Sequence, residues 1–435
     1  MNMIKKLINK VAFILLSLAM QSIYAQKIFP PEIGCYHSAF VGTDLQSTFE
    51  QLSGKNIAIE MFFTGWPSNK IADFPESKCN NIIANGAIPH ITWMFEVSGT
   101  PYPLDAIING SYDSYISGYA NQVKAWGKQL FIRPGHEMNG DWYKYGGQNN
   151  GGGTLNGFGD PTKADGPERF IAAYRRIVDI FNSQGVTNVT WVWCPNNGSS
   201  PDSPWNTYDA YYPGDEYVDW VGMDGYNFGT TQSWSAWVEF FSIYNNFYHS
   251  LEIYNKPMMI GEFASVEDNQ NVNRKADWIK YAYLYTKAVF KKIKAITWFH
   301  VKKYESGILT DWRINSSTNS LNSYQQAIAD DYFLSSVLTD VKEEEIIAPQ
   351  KFELSAYPNP FNPQTKIIYE LPAKSFVTIK VYDILGKEIA TLFEGERNAG
   401  IYNVEFSSKN LSSGFYLCRM VTNNFSRTIK LVFEK

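Results

Sequence analysis

Short, continuous apolar runs alternate along this chain with longer segments whose apolar positions recur at helical spacing. Between about Glu32 and Ile328 the runs are Ile33–Tyr36, Asn56–Phe63, Ile88–Phe95, Gln129–Pro134, Asn188–Cys194, Val218–Met223, Pro257–Glu262 and Ile293–His300, eight candidate strands. In Asp165–Gly185, Phe170, Tyr174, Ile177 and Phe181 share one helical face, with Pro167 in the first turn and Gly185 closing the last. Tyr112, Tyr115, Tyr119, Val123 and Trp126 repeat that pattern ahead of Gly127, and Asn273–Ile293 carries a third helix. Strands apolar on both faces must be covered on both faces, which calls for a parallel sheet. Eight strand–helix units in roughly 300 residues predict an α/β fold, a closed (β/α)8 TIM barrel. No GxGxxG follows the first strand, which argues against an open doubly wound sheet.

The period then changes. Asp340-Val-Lys-Glu-Glu-Glu345 and Ala348-Pro349 mark a solvated linker over 338–351. Beyond it, Thr365–Leu371, Phe376–Asp383, Gly400–Phe406, Gly414–Met420 and Ser426–Phe433 are short alternating strands separated by turns. They predict a small all-β immunoglobulin-like sandwich over 352–435. At the other end Lys5, Lys6 and Lys10 flank an apolar run, Val11–Met20, too short to span a bilayer, and Ser22–Ala25 offers a cleavage region. Residues 1–25 therefore read as a signal peptide, leaving 26–337 for the barrel. No later run approaches a membrane span, so no transmembrane segment is expected in the mature protein.

Composition narrows the function classes. A net charge of −5 without a basic stripe excludes nucleic acid as the expected partner. Aromatic content is 16%, with 13 Trp and 28 Tyr, which suits either an aromatic core or a site that stacks on flat apolar faces such as sugar rings. The four cysteines, Cys35, Cys79, Cys194 and Cys418, are scattered without a CxxC, so no metal site or cofactor is expected; a Cys35–Cys79 pair stays open.

Catalytic groups of a parallel barrel sit where strands end at the C-terminal face. Glu137, in Phe131-Ile-Arg-Pro-Gly-His-Glu137, follows the fourth strand, and Glu262, in Pro257-Met-Met-Ile-Gly-Glu262, ends the seventh. The two are 125 residues apart, about 42 per strand–helix unit over three units, so they face each other across the mouth. Cleaving a glycosidic bond needs such a pair: one acid to protonate the leaving oxygen, one carboxylate to attack or to activate water. Arg133 reads as an ion-pair partner inside the barrel, and His90, on the third strand, as a contact to a sugar hydroxyl. Glu60 and Asp224 are rival carboxylates without an assigned role.

Arg133-Pro-Gly-His-Glu-Met-Asn-Gly-Asp-Trp142 together with Ile260-Gly-Glu262 resembles glycoside hydrolase family 26, retaining glycosidases built on a (β/α)8 barrel, over about residues 32–330. The resemblance implies that Glu137 is the general acid/base and Glu262 the nucleophile. It further implies that His136 orients the acid/base and touches the sugar, and that Trp142 walls the subsite. Trp298 would be the stacking platform beneath the ring, and Tyr226 would donate to the nucleophile. The implied activity is that of a secreted endo-β-glycanase, with β-1,4-mannan the commonest substrate and mixed-linkage β-glucan (a lichenase) or xylan the alternatives. Gly135 stands where a bulkier residue often precedes the histidine, and Tyr143-Lys-Tyr145 replaces a Trp-rich run; both departures leave room for the glucanase. The alternative of another class, a non-catalytic carbohydrate-binding surface protein, would keep Trp142 and Trp298 but lose a glutamate; both glutamates are present.

The tail carries a resemblance of its own. Tyr357-Pro-Asn-Pro-Phe-Asn-Pro363, Val377–Lys387, Ala399–Tyr402 and Ser413–Leu417 resemble the C-terminal sorting domain of type IX secretion substrates. It implies the type IX secretion machinery as a partner and a secreted or cell-surface destination.

Overall fold

The computed structural model describes residues 27–98, 101–337, 351–357, 359–408 and 411–434. The expected signal peptide, 1–25, and residues 338–350 of the expected linker lie outside them. The chain divides between Leu338 and Thr339 into two compact units.

All eight predicted barrel strands form in the first unit: β1 (Cys35–Phe40), β2 (Ile59–Gly65), β3 (Ile88–Met94), β4 (Leu130–Pro134), β5 (Val189–Trp193), β6 (Trp220–Asn227), β7 (Met258–Ser265) and β8 (Ile293–Phe299). They pair in chain order and in parallel, and β1 also pairs with β8, Tyr36 opposite Ala295 and Phe40 opposite Phe299, which closes the barrel. The predicted helices pack outside it. In α1 (Asp165–Ser183) Phe170, Tyr174, Ile177 and Phe181 are all buried, as their spacing requires. The third predicted helix, α2 (Arg274–Ala288), ends earlier than its periodicity suggests, because the Val289 and Phe290 amides both turn back to the Tyr285 carbonyl before the chain enters β8.

Strand alternation sorts the apolar residues into two layers. Tyr36, Ile88, Phe131, Val192, Trp220 and Met259 fill the barrel interior. Their neighbours point outward and pack under the helices: Trp93 of β3, for example, stacks on Tyr119 of the Asp113–Trp126 helix at 4.4 Å. Six tryptophans are fully buried, so much of the aromatic excess is core. All four cysteines are buried and unpaired; Cys35 and Cys79 are not bridged.

The second unit is two antiparallel sheets. One holds Glu353–Tyr357, Gln364–Leu371 and Gly400–Ser407; the other holds Glu388–Arg397, Ser375–Tyr382, Gly414–Val421 and Ser426–Phe433. Their shared core includes Leu354, Ile367, Tyr369, Val381, Met420 and Leu431. Two of these strands have no counterpart in the sequence pattern. Every residue of Glu388–Arg397 is at least partly exposed, so that edge strand shows no apolar alternation to read. Among the described residues no helix is long and apolar enough to cross a membrane.

Candidate active site

At the exit of β4 the backbone turns sharply through two left-handed residues, Gly135 (φ 56°) and Glu137 (φ 53°). Gly135 has no bulkier option: a Cβ there would lie 2.7 Å from the Phe95 ring and 3.0 Å from that of Phe170. Glu137 is the unusual member, since a side-chain-bearing residue in this region costs about 1–3 kcal/mol. Two bonds hold it there, its own amide to the Cys194 carbonyl at 2.8 Å and the Gly140 amide to its carbonyl at 2.9 Å. The strained turn aims the carboxyl group at two neutral donors. Asn196 Nδ2 donates to Oε1 at 2.6 Å, and Trp142 Nε1 donates to Oε2 at 2.8 Å. Burial and the nearby Glu262 charge outweigh these donors and push the Glu137 carboxyl up to about 7.

Glu262 does not end its strand, as the sequence suggested; β7 runs on to Ser265. What brings its side chain inward is a bulge. Ile260 pairs with Met223 but Glu262 with Asp224, so Gly261 is an extra residue that shifts the alternation by one. Met259 faces the interior and Ile260 the outer layer; without the bulge Glu262 would share the side of Ile260, whereas with it Glu262 turns inward and Phe263 outward. Gly261 is also obligatory for space, because a Cβ would lie 2.3 Å from Arg133 Nη1 and 2.6 Å from Asp224 Oδ1.

Arg133 is fully buried beneath this bulge and spends its donors on four partners. Nη1 meets both oxygens of Asp224 at 2.9 Å and Cys194 Sγ at 3.4 Å. Nε and Nη2 meet Thr92 Oγ1, and Nη2 also donates to Glu262 Oε1. The expected ion-pair role of Arg133 is what the structure shows. Tyr226 donates to the other oxygen, Glu262 Oε2, at 2.6 Å. One carboxyl of the pair is therefore surrounded by neutral donors, the other by a guanidinium and a phenol.

His136 is buried between Tyr143 and Tyr145, whose hydroxyls lie 3.1 Å from Nε2 and Nδ1, and its Nε2 is 3.6 Å from Glu262 Oε1. Burial and the Arg133 charge push it well below its ordinary range, so it is neutral. Trp142 is 49% exposed at the mouth. Beside Glu262 opens a cleft of about 690 Å³, whose walls include Phe40, Phe63, Met94, Tyr143 and Phe299. His136, Asp224 and Glu262 bring potential ligand atoms within 4.8 Å of one another, but Arg133 already supplies the positive charge there. Glu60, the other rival acid, pairs with Lys78 at 3.4 Å.

Two expectations are corrected. Trp298 is not a platform in the cleft. With Ala295 and Thr297 facing inward on β8, alternation sends Trp298 outward, where it packs on Phe263 at 4.9 Å and donates to the Trp312 carbonyl. Its neighbour Phe299 lines the cleft instead. His90 does not reach the cleft either. Thr92, two residues on, is the β3 side chain that meets Arg133, and His90 lies one layer deeper, fully buried against Phe131 at 5.5 Å. Asn196 escaped sequence reasoning, and Tyr143 and Tyr145 stood out there only as a departure bearing on substrate, not as partners of His136. Asn196 carried one available signal, its place just past β5 in Cys194-Pro-Asn-Asn197.

The sequence profile of glycosyl hydrolase family 26 matches residues 16–305. The chain belongs to glycosyl hydrolase family 26. Residues 355–434 match the secretion-system C-terminal sorting domain, which addresses this family 26 chain to the cell surface or the exterior. Among curated relatives, Endoglucanase H of Acetivibrio thermocellus is 37% identical over 326 residues, 73% of this chain and 33% of that protein. A mannan endo-1,4-β-mannosidase of Bacillus subtilis is 28% identical over 154 residues, 35% of this chain and 37% of the relative. The chain thus spans about a third of the length of these relatives. Among solved structures, a GH26 β-mannanase from Bacteroides ovatus aligns with a TM-score of 0.51 at 14% identity, covering 72% of this chain and 94% of that one. An endo-β-1,4-mannanase double mutant from Cellulomonas fimi aligns with a TM-score of 0.50 at 15% identity, covering 92% and 94%. These two share the fold.

Proposed function

We propose that this protein is a secreted retaining endo-β-glycanase. Residues 26–337 are its catalytic domain, 338–351 a linker and 352–435 a sorting domain read by the type IX secretion machinery, and residues 1–25 are a signal peptide. The observation that carries the reading is the asymmetry of the paired carboxyls. Glu137 stays protonated to about pH 7, and Glu262 is held by Arg133 and Tyr226. In the first step a Glu262 oxygen attacks the anomeric carbon while the bond to the leaving sugar breaks, and the Glu137 proton passes to the departing oxygen. A glycosyl ester on Glu262 results. Neutralising that carboxylate removes the charge that raises Glu137, which then takes a proton from water as the water attacks the same carbon and frees Glu262. Two displacements retain configuration. His136 orients the pair and meets the sugar, and Trp142 walls the subsite.

For the polysaccharide, β-mannan is the family-level reading, supported by the printed activity of the mannosidase relatives. A β-glucan is favoured by a separate observation: Endoglucanase H matches far more of this chain, and at higher identity, than any of those mannosidases. Reducing-sugar release from galactomannan, glucomannan, barley β-glucan and xylan separates them, with Glu262→Ala measured beside the wild type. No release from any of the four would sink the enzyme reading. Equal activity in the variant would sink the assignment of Glu262.

A further inference from the structure

Glu137 receives a second donor from a strand that carries neither carboxylate. Asn196 stands three residues past the end of β5, and its Nδ2 reaches Glu137 Oε1 at 2.6 Å, its one acceptor among the described residues. The amide cannot turn over without loss, because its Oδ1 accepts the Gly198 N–H at 2.9 Å. Its backbone is clamped on both sides by Asn139, whose Oδ1 accepts the Asn196 N–H and whose Nδ2 donates to the Asn196 carbonyl, each at 2.9 Å. Asn139 is anchored in turn, its carbonyl accepting from Asn206 Nδ2 and from the Ser200 amide at 2.9 Å. Asn206 Oδ1 accepts from the Tyr211 hydroxyl. Three asparagines, Asn206 and Asn139 buried and Asn196 partly exposed, thus link a core phenol to the carboxyl group through side-chain and backbone bonds, and the Cys194 carbonyl, from the same post-β5 segment, holds the Glu137 amide.

We infer that Asn196 is a positioning residue that reserves Oε1 of Glu137 as a permanent acceptor and leaves Oε2 to give and take the proton. This rests on the reading of Glu137 as the acid/base. An N–H bond to Oε1 persists whether Oε2 is protonated or bare, so the amide need not move during the reaction. A proton on Oε1 would weaken it as an acceptor for a donor that has no other partner. Trp142, the donor on Oε2, is half exposed and can yield to substrate; Asn196 cannot. The bond also favours the ionised carboxylate, opposing burial and Glu262. The other charged groups acting on Glu137 are Arg133, which lowers it, and Asp224 across the ion-pair network. The phenols of Tyr143, Tyr145, Tyr226 and Tyr244 are pushed above their ordinary range and stay neutral.

The test compares kcat/KM against pH for Asn196→Ala and Asn196→Asp on two substrates. One is whichever polysaccharide the protein cleaves. The other is a dinitrophenyl β-glycoside of cellobiose or mannobiose, whose leaving group needs no proton. Loss of a hydrogen bond to a charged group predicts roughly a 10- to 100-fold fall on the polysaccharide and at most a few-fold fall on the aryl glycoside. The basic limb on the polysaccharide moves to higher pH in Asn196→Ala, and further in Asn196→Asp, where a second acid faces Glu137. Equal losses on both substrates, or a basic limb that does not move, overturn the inference. Should Asn196→Ala not fold, Asn196→Ser, too short to reach Oε1, carries the same expectations. Glu137→Ala with and without azide separates the two levels. Full polysaccharide activity in that variant defeats the acid/base reading itself. An inactive, azide-rescued Glu137→Ala beside an unmoved Asn196→Ala limb defeats only the role of Asn196.

Discussion

Replacing Arg133 by Met removes the only cation in contact with both Asp224 and Glu262 among the described residues. The arginine side chain is fully buried, and its two acidic partners are 0% and 6% exposed. The methionine fills much of the volume, so the loss is electrostatic. Two carboxylates are left facing each other without counter-charge, and breaking a buried pair in this way costs about 3–5 kcal/mol. For a domain of this size that is a Tm drop on the order of 10 °C. Adding Asp224→Asn removes one of the stranded charges, so the double variant should be more stable than the sum of the single changes by roughly 1–3 kcal/mol. All 13 tryptophans precede Leu338, so tryptophan fluorescence during urea unfolding reports the barrel without the sandwich. A loss below about 1 kcal/mol for Arg133→Met, or strict additivity in the double variant, would refute the network as the support of Glu262.

Glu137→Gln should abolish acid catalysis yet stabilise the barrel at alkaline pH. The folded carboxyl holds its proton to about 7 against an ordinary 4.5, so wild-type stability falls as pH rises through that window. The advantage of the glutamine should therefore grow between pH 4 and pH 8 by on the order of 3 kcal/mol; a difference independent of pH would count against the shifted carboxyl. Trp298→Ala should cost about 3–5 kcal/mol of stability as a cavity under α2 and leave KM unchanged in the folded fraction. Phe299→Ala, at the cleft wall, should raise KM instead, measurable by steady-state kinetics beside calorimetry; the reverse pattern would restore Trp298 to the cleft.

The barrel architecture is written in the hydrophobic pattern. Eight apolar runs at near-even spacing, separated by helical periodicity, admit few arrangements other than a closed parallel barrel, because each strand demands cover on both faces. That pattern also placed Glu137 and Glu262 on opposed strands, since strand order in such a barrel follows chain order. Side-chain direction was only partly legible. Alternation from Ala295 already sends Trp298 outward, a signal present in Ala295-Ile-Thr-Trp-Phe299. No alternation could show that Gly261 is an extra residue, because a bulge is settled by the pairing of β7 with β6. That single residue turns Glu262 from the helix layer to Arg133. The depth of His90, the strained turn at Glu137 and the amide chain ending at Asn196 were likewise tertiary decisions. Each depends on atoms brought together from strands dozens of residues apart, where burial and hydrogen bonding, not local pattern, choose the outcome.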